Sequence, residues 1–348
     1  MPKFFLKSRL NSLLKNTGKS PIVEINFLGT GGAFDLSEKN SSVIIKTAAG
    51  TILIDCGSTV YSELQAKKIV ESIDYIFITH CHEDHIGSLS TLIYHKYFGQ
   101  KQIVKIECIP SLKPQLEMYL EDVCGHTGAL ENSFIVNSAP GILPRILFED
   151  LNMIVHKIDT TNLHYKDYPT SGFVFNFRKG GEDLFIVYSG DINRPIIEVI
   201  RDNYSTLYES LLKTPENVFI FHEATARSYP PFFPHCEYQK LEETAKTFPN
   251  IYTYHHSQEE TKSVLKEFKT AKMKLDLVKK AIDSELNKKL TLLKTHELQE
   301  KLRVQAKRLI DTFTEDFYKA PLKVQDLNLV GRELVIQEEM SLNINKTT

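Results

Sequence analysis

Long hydrophobic runs are missing from this 348-residue chain. No stretch approaches the roughly 20 apolar residues that a membrane-spanning helix needs, so no membrane partner is expected. Cysteine is sparse and scattered, at positions 56, 81, 108, 124 and 236, with no CxxC pair. An odd number of isolated thiols fits the reducing cytoplasm better than a secreted disulfide frame. No secretory leader is expected either. The segment 1–21 sets Leu6, Leu10, Leu13 and Leu14 on one helical face among basic residues, without a continuous apolar stretch or small-residue cleavage site. A helix docked on the protein is the favoured reading of that segment, with a transit peptide or membrane-surface helix as alternatives. Internal repeats and low-complexity tracts are absent. What remains, 42% hydrophobic and 25% charged, is the composition of an ordinary globular protein.

Net charge is close to zero as well, at -2, but this hides a division. Residues 1–23 carry +5, residues 24–261 carry -12, residues 262–310 carry +8 and the remainder carries -3. An acidic central region makes a poor general nucleic-acid surface, although bound divalent cations would offset part of its charge.

The central region reads as strands punctuated by helices: IVEINFLG, SVIIKTA, TILIDCG, YIFITH, IVKIECIP, NMIVHKID, GFVFNFR, LFIVYSGD, NVFIFHEA and NIYTYHHS, with helical TVYSELQAKKIVE and IGSLSTLIYHKYF between them. Packed sheets with helices outside are the natural architecture for that order. Glycine and proline vanish between 259 and 320, where Val264, Leu265, Phe268, Leu275, Val278, Ile282, Leu286, Leu290, Leu293, Leu298, Leu302 and Leu309 recur at three- to five-residue spacing. One or two long amphipathic helices are expected there, then a short strand, LVGRELVIQ, and a polar tail. Three regions follow: 1–21, 22–258 and a helical extension 259–348.

The densest chemistry lies at THCHEDHIG, residues 79–87, where three histidines and two acids crowd into His80–His85 behind the apolar run YIFI. Burying such groups unpaired costs several kcal/mol each, roughly, and a bound metal would compensate. Alternate residues of an extended segment point the same way, so His80 and His82 share one side, while Asp84 and His85 fall at a turn entering a helix. One loop can therefore direct two ligand pairs at two neighbouring ions.

The HxHxDH pattern resembles the signature of the metallo-β-lactamase-like hydrolases. FLGTGGAF followed by LIDCG resembles the opening of their RNase Z and phosphodiesterase branch. The resemblance covers residues 22 to about 258 and implies an α/β fold, an αββα sandwich, with the helical region added behind it. It also implies a ligand set: His80, His82 and His164 (in LHYKDYPTSGFVF) for one ion, Asp84, His85 and His255 (in YTYHHS) for a second, and Asp191 (in LFIVYSGD) bridging both. His256 is the near rival of His255. Nitrogen and carboxylate ligands suit two divalent ions, Zn2+ first, with Mn2+ or Fe2+ as alternatives. Asp55 is expected to orient a ligand histidine from behind, Cys81 to point away into core, and His156 to be an ordinary strand residue. The glycines of FLGTGGAF are not followed by GK[ST] and do not space as GxGxxG, so tight backbone turning near the site is expected rather than a nucleotide loop.

Two divalent ions can lower the pKa of a water between them and neutralise charge at an attacked phosphorus. FHEATAR, residues 221–227, resembles the His-Glu-Ala-Thr segment of the RNase Z branch, which makes His222 the expected general acid, Glu223 its orienting partner and Asp84 a catalytic as well as ligating carboxylate. RNase Z enzymes that cut tRNA precursors carry a long glycine-rich arm; in the short forms it lies between the third histidine and the bridging aspartate. Here that interval is 165–190 and is filled by strand-like FVFNF and LFIVY. The arm is absent. The expected activity is therefore a phosphodiesterase acting on a small diester, most of all a 3′,5′-cyclic nucleotide, as in the phage anti-defence enzymes that share the armless core. The alternatives are an RNase Z-like endonuclease that holds RNA on the basic C-terminal helices, and a binding or scaffold protein with a vestigial site. A cytoplasmic homodimer assembled through those helices is expected.

Overall fold

The computed structural model describes residues 23–35, 37–47, 50–124, 133–138, 146–148, 151–179, 182–225 and 234–255, five helical positions among residues 282–307, and three short strands near the C-terminus. The amphipathic segment 1–21, His256 and most of the expected C-terminal helical region lie outside the described residues.

Two sheets face one another. The first takes β1 (Val23–Gly29), β2 (Ser42–Thr47), β3 (Gly50–Ile54), β4 (Ile73–Phe77), β5 (Val104–Glu107) and β6 (Phe134–Asn137) in sequence order. Strands β1 to β3 form an antiparallel meander, and β3 to β6 run parallel. The second sheet repeats that plan. Its strands β7 (Ile146–Phe148), β8 (Leu151–Asp159), β9 (Ser171–Lys179) and β10 (Glu182–Tyr188) are antiparallel, and β11 (Val218–Glu223) and β12 (Asn250–Tyr254) continue in parallel from β10.

Parallel neighbours need crossovers, and these carry the helices. Over the first sheet lie α1 (Val60–Ala66), the one-turn α2 (Glu83–Ile86), α3 (Leu89–Tyr94) and α4 (Lys113–Cys124). Over the second lie α5 (Ile196–Asn203), α6 (Ser205–Lys213) and α7 (Leu241–Thr247). In α4, Leu116, Leu120 and Cys124 recur every four residues and supply its buried face.

Strand alternation sorts the apolar residues into three cores. Ile25, Phe27, Val43, Ile45, Ile52 and Ile54 meet Phe173, Phe175, Phe177, Ile186, Phe221 and Tyr252 between the sheets. Their neighbours in the strands, such as Ile44, Leu53 and Ile76, face α1, α3 and α4, while Val174, Val187 and Ile220 face α5 to α7. Phe77 meets Phe173 and Phe175 edge-on at 5.2 and 5.4 Å. Each such aromatic pair adds about 0.5–1.5 kcal/mol beyond area burial. The order helix, sheet, sheet, helix is the αββα sandwich that the resemblance implies, with the helices outside packed sheets as the strand and helix runs suggest.

Where the sequence suggests one strand near the C-terminus, the described residues there include three. β14 (Glu333–Ile336) pairs antiparallel with β1, and β15 (Leu342–Asn345) pairs with β14. β13 (Val324–Asp326) pairs parallel with β12. Both sheets are thus extended at an edge by residues far along the chain, which covers the open sides of β1 and β12 and makes β15 and β13 the edge strands.

Candidate metal centre

The parallel strands end at one rim of the sandwich, the place where open α/β sheets present functional groups. β4 delivers Thr79 and His80; His82 sits extended at the entry of α2, and Asp84 and His85 occupy its single turn. α2 fits there because Gly57 lets it approach: a Cβ at Gly57 would lie 1.9 Å from the Asp84 carbonyl oxygen. From the second sheet, His164 comes from the loop between β8 and β9, Asp191 follows β10, and His255 follows β12. Gly190 makes the turn into Asp191 with φ +62, where a side chain would strike the Ser171 carbonyl.

A layer of hydrogen bonds behind the cluster sets which nitrogen each ring presents. Asp55 is buried directly after β3 with φ +59. It accepts the Nδ1 proton of His85 at 2.9 Å and the Thr79 hydroxyl proton at 2.8 Å. Because the Thr79 hydroxyl proton is committed to Asp55, its oxygen accepts from His80 Nδ1 at 3.0 Å. One carboxylate therefore orients two histidines, and both turn Nε2 inward. His164 donates its Nδ1 proton to the Pro234 carbonyl at 3.0 Å, with the same result.

The inward atoms converge. His82 Nδ1 lies 3.0 Å from His80 Nε2 and 3.3 Å from His164 Nε2. His80 and His164 have committed their protons elsewhere, and His82 Nδ1 can offer one proton to two lone pairs. At least one nitrogen pair therefore repels unless a cation lies among them. On the other side, Asp84 Oδ2 lies 3.2 Å from His255 Nε2 and 3.4 Å from His85 Nε2. Asp191 spans the two groups: Oδ2 is 4.0 Å from His80 Nε2 and 3.4 Å from His255 Nε2, and Oδ1 is 3.6 Å from His85 Nε2. His85 Nε2 and Asp191 Oδ1 are buried without a hydrogen bond. Such orphaned polar atoms carry a large desolvation cost, and a divalent cation is the partner that fits both. The triads His80–His82–His164, His80–His85–Asp191 and Asp84–His85–His255 each bring their ligand atoms within 4.8 Å of one another.

Protonation follows the same division. Burial lowers the pKa of His80, His82 and His164 below the ordinary histidine value, leaving neutral imidazoles. Burial opposes charge on His85 too, but Asp191, Asp84 and Asp55 around it hold its pKa well above the usual value. Burial would raise the carboxyl pKa values of Asp84 and Asp191. Instead, His85 and His255 hold Asp84 below the usual range, and His255, His85 and His80 do the same for Asp191.

The structure does not bring His222 into this cluster. Its ring is buried in β11, Nε2 accepts the Ile196 N–H at 3.0 Å, and Nδ1 donates to the Glu223 carbonyl. Both nitrogens serve backbone groups, Ile196 at the start of α5 and Glu223 in β11, so the ring has no proton to give a substrate. Glu223 does reach the site, but with a different histidine. Its Oε1 accepts the N–H groups of Ile192 and Cys236 at 3.0 and 2.9 Å, and its Oε2 holds His235 Nδ1 at 3.0 Å. His235 Nδ1 also lies 3.8 Å from Asp191 Oδ2. Burial lowers its pKa, but Glu223 and Asp191 override this and raise it to about 9. Sequence reasoning missed His235. The available signal was arithmetic, since His222 and His235 are the only histidines between 164 and 255. Cys81 packs against the core under the outer helices, its thiol pushed up to about 12 by burial, and His156 is a half-buried residue of β8.

Two facing sheets, helices on both outer faces and a histidine–carboxylate cluster at the strand ends define a metallo-β-lactamase-fold protein. The metallo-β-lactamase-fold protein YhfI of Bacillus subtilis superimposes with a TM-score of 0.50, covering 69% of this chain and 88% of its own at 17% identity. Within that fold the sequence is more specific: the profile of the family described as Anti-Pycsar protein Apyc1 matches residues 23–281, and the chain belongs to that family. An Apyc1 protein of Paenibacillus sp. (strain J14) is 41% identical over 78 residues, 22% of this chain and 32% of its own length. One from Bacillus phage BSP38 is 43% identical over 77 residues, 21% of this chain and 30% of its own. A ribonuclease Z of Clostridium novyi is 42% identical over 77 residues, 20% and 25% of the two chains. The chain thus spans about a third of the length of the curated Apyc1 relatives it matches. Among the described residues no helix is long and apolar enough to cross a membrane.

Proposed function

We propose that this protein is a metal-dependent phosphodiesterase that hydrolyses a small phosphodiester, a 3′,5′-cyclic nucleotide. The observation that carries the reading is the converging cluster, with lone pairs facing one another and two orphaned buried atoms, in a chain of the Apyc1 family. Apyc1 proteins degrade cyclic nucleotides. His80, His82 and His164 would hold one divalent ion, Asp84, His85 and His255 a second, and Asp191 both. Zinc suits this nitrogen-rich set, with manganese or iron as alternatives. Such ions, when bound, supply Lewis-acid charge neutralisation and an acidified water.

The chain's own residues supply the rest. Asp84, held ionised, accepts a proton from the attacking water. Hydroxide adds to phosphorus, a P–O ester bond of the ring breaks, and the departing ribose oxygen takes a proton. His235 is the donor. Glu223 fixes its ring at 3.0 Å and favours its protonated form at neutral pH.

A grip on RNA is the competing reading. The interval where short RNase Z enzymes carry their arm is occupied by β9 and β10, joined as a hairpin, and this favours the small substrate. Homodimer formation and a cytoplasmic setting complete the proposal, supported respectively by the apolar spacing of residues 264–309 and by five unpaired thiols. The purified protein should contain about two equivalents of divalent metal and open 3′,5′-cyclic nucleotides in a panel that includes a tRNA precursor. Cleavage of the precursor alone would replace this reading with the nuclease. A monomer in light scattering at micromolar concentration would end the dimer.

A further inference from the structure

The FLGTGGAF motif leaves one residue that the hydrolytic machinery does not use. Phe34 is fully exposed, although burying such a ring yields about 1.5–3 kcal/mol. It sits on a pinned loop. The N–H groups of Thr30 and Gly31 donate to the carbonyls of Glu38 and Lys39 at 3.1 and 2.8 Å, and Asp35 N–H donates to Gly32 at 3.3 Å. Asp35 Oδ1 accepts the N–H groups of Ser37 and Glu38. The loop also leans on the metal centre: His255 N–H donates to the Thr30 carbonyl at 2.8 Å. A Cβ on Gly32, two residues before Phe34, would lie 3.6 Å from the His255 ring. Across the cluster, Tyr165 is half exposed, but its ring already packs edge-on to His164 at 4.5 Å and His82 at 5.7 Å. Among the described residues, Phe34 is thus an exposed aromatic ring, without a packing partner, on a loop that touches the candidate ligand His255.

Resting on the phosphodiesterase reading, we infer that Phe34 is the platform on which the nucleobase of the cyclic nucleotide stacks, making it a determinant of substrate affinity. A phosphodiester held at the ions must project its base over the rim. Base–aromatic stacking requires only an exposed ring beside the backbone-binding groups and tolerates different bases. The interaction forms before the chemistry and persists through it, so it is uniform binding that enters KM and leaves kcat alone.

The experiment compares F34A and F34W with the unaltered holoenzyme on adenosine and uridine 3′,5′-cyclic phosphates and on the base-free 1-deoxyribose 3′,5′-cyclic phosphate. F34A should raise KM for the adenosine substrate roughly tenfold, within the range for loss of one stacked base. The uridine substrate should suffer less and the base-free one not at all, with kcat and metal content unchanged; F34W should restore the adenosine KM. An unchanged KM for F34A overturns the inference, as does an equal loss on the base-free substrate, which would reduce Phe34 to a support for His255. If the unaltered, metal-loaded protein opens none of the three, the phosphodiesterase reading itself fails, and this outcome is separate from the other two.

Discussion

The two halves of the sandwich supply the same site by opposite means. The first sheet delivers His80, His82, Asp84 and His85 from one strand end and one helical turn, with Asp55 behind them. The second delivers Asp191 and His255 from the ends of β10 and β12, aligned because β10, β11 and β12 run parallel in register, with Tyr188 opposite Phe221 and Glu223 opposite Tyr254, and His164 from the loop between β8 and β9. Local spacing places the first set. Tertiary contacts place the second: the Pro234 carbonyl for His164, the Thr30 carbonyl for the His255 backbone, and Glu223 for the segment after Asp191. One half is a motif and the other is an assembly, and they should fail differently.

The largest failure is expected at the residue both halves share. Asp191→Ala should lose most of both metal equivalents in elemental analysis, and turnover with them, because its carboxylate faces His80 of one group and His85 and His255 of the other. Full metal in that variant would break the claim that the halves meet at Asp191. Next comes His235→Ala, which should keep its metal yet slow turnover by roughly 10²- to 10⁴-fold, the usual worth of a proton donor. A nitrophenolate leaving group needs no proton, so the loss should shrink on a nitrophenyl diester. Equal losses on both substrates would make His235 a positioning group instead.

How much was legible follows the same line. THCHEDHIG announces a metal site from composition and spacing alone, and Asp55 could be read as its support. Strand runs such as GFVFNF and LFIVYSGD show themselves as short apolar stretches closed by turns, and packed sheets with helices outside follow from their order, while the αββα sandwich comes from resemblance. The site's second half was reachable only through resemblance, because nothing local distinguishes His164 from a surface histidine. His222 shows the limit. Next to Glu223 in sequence, it looks like a natural partner for that carboxylate, but neighbours in a strand face opposite ways, so His222 faces the start of α5 while Glu223 reaches His235. The strands at 324–326 and 342–345 were illegible because each is stabilised by the edge it joins rather than by its own pattern.

Smaller effects sharpen the contrast between motif and assembly. Asp55→Asn should weaken metal binding by roughly 10- to 100-fold, the range for orienting groups behind metal ligands. Two rings depend on Asp55, directly at His85 and through Thr79 at His80, so competition with a chelator should show both equivalents loosened. Loosening of one alone would remove Thr79 from the relay. His222→Ala should act on stability instead: it strands the Ile196 N–H and the Glu223 carbonyl, costing about 1–3 kcal/mol for each group left unsatisfied. Denaturant unfolding would show that loss, while turnover of the folded fraction stays within severalfold. A His235-sized drop in turnover would return His222 to the chemistry.

The smallest expected effect is a displacement along the pH axis. His235 has its pKa raised to about 9 because, against burial, Glu223 acts on it by charge and hydrogen bond, with Asp191 adding to the effect. The donating form is therefore present at neutral pH and is lost as pH rises through that value, or through a lower one once bound cations add their repulsion. The pH profile of kcat/KM reports ionisations of the uncomplexed enzyme, so its alkaline limb should mark this loss. Glu223→Gln keeps an oxygen for the Ile192 and Cys236 N–H groups but removes the charge that holds the proton on His235. The alkaline limb should move to lower pH, with activity at its acid plateau changed far less than in His235→Ala. The direction is fixed by sign: removing a nearby anion lowers a histidine pKa. An alkaline limb that stays in place when Glu223 is neutralised would assign it to another group and leave His235 without its role as proton donor.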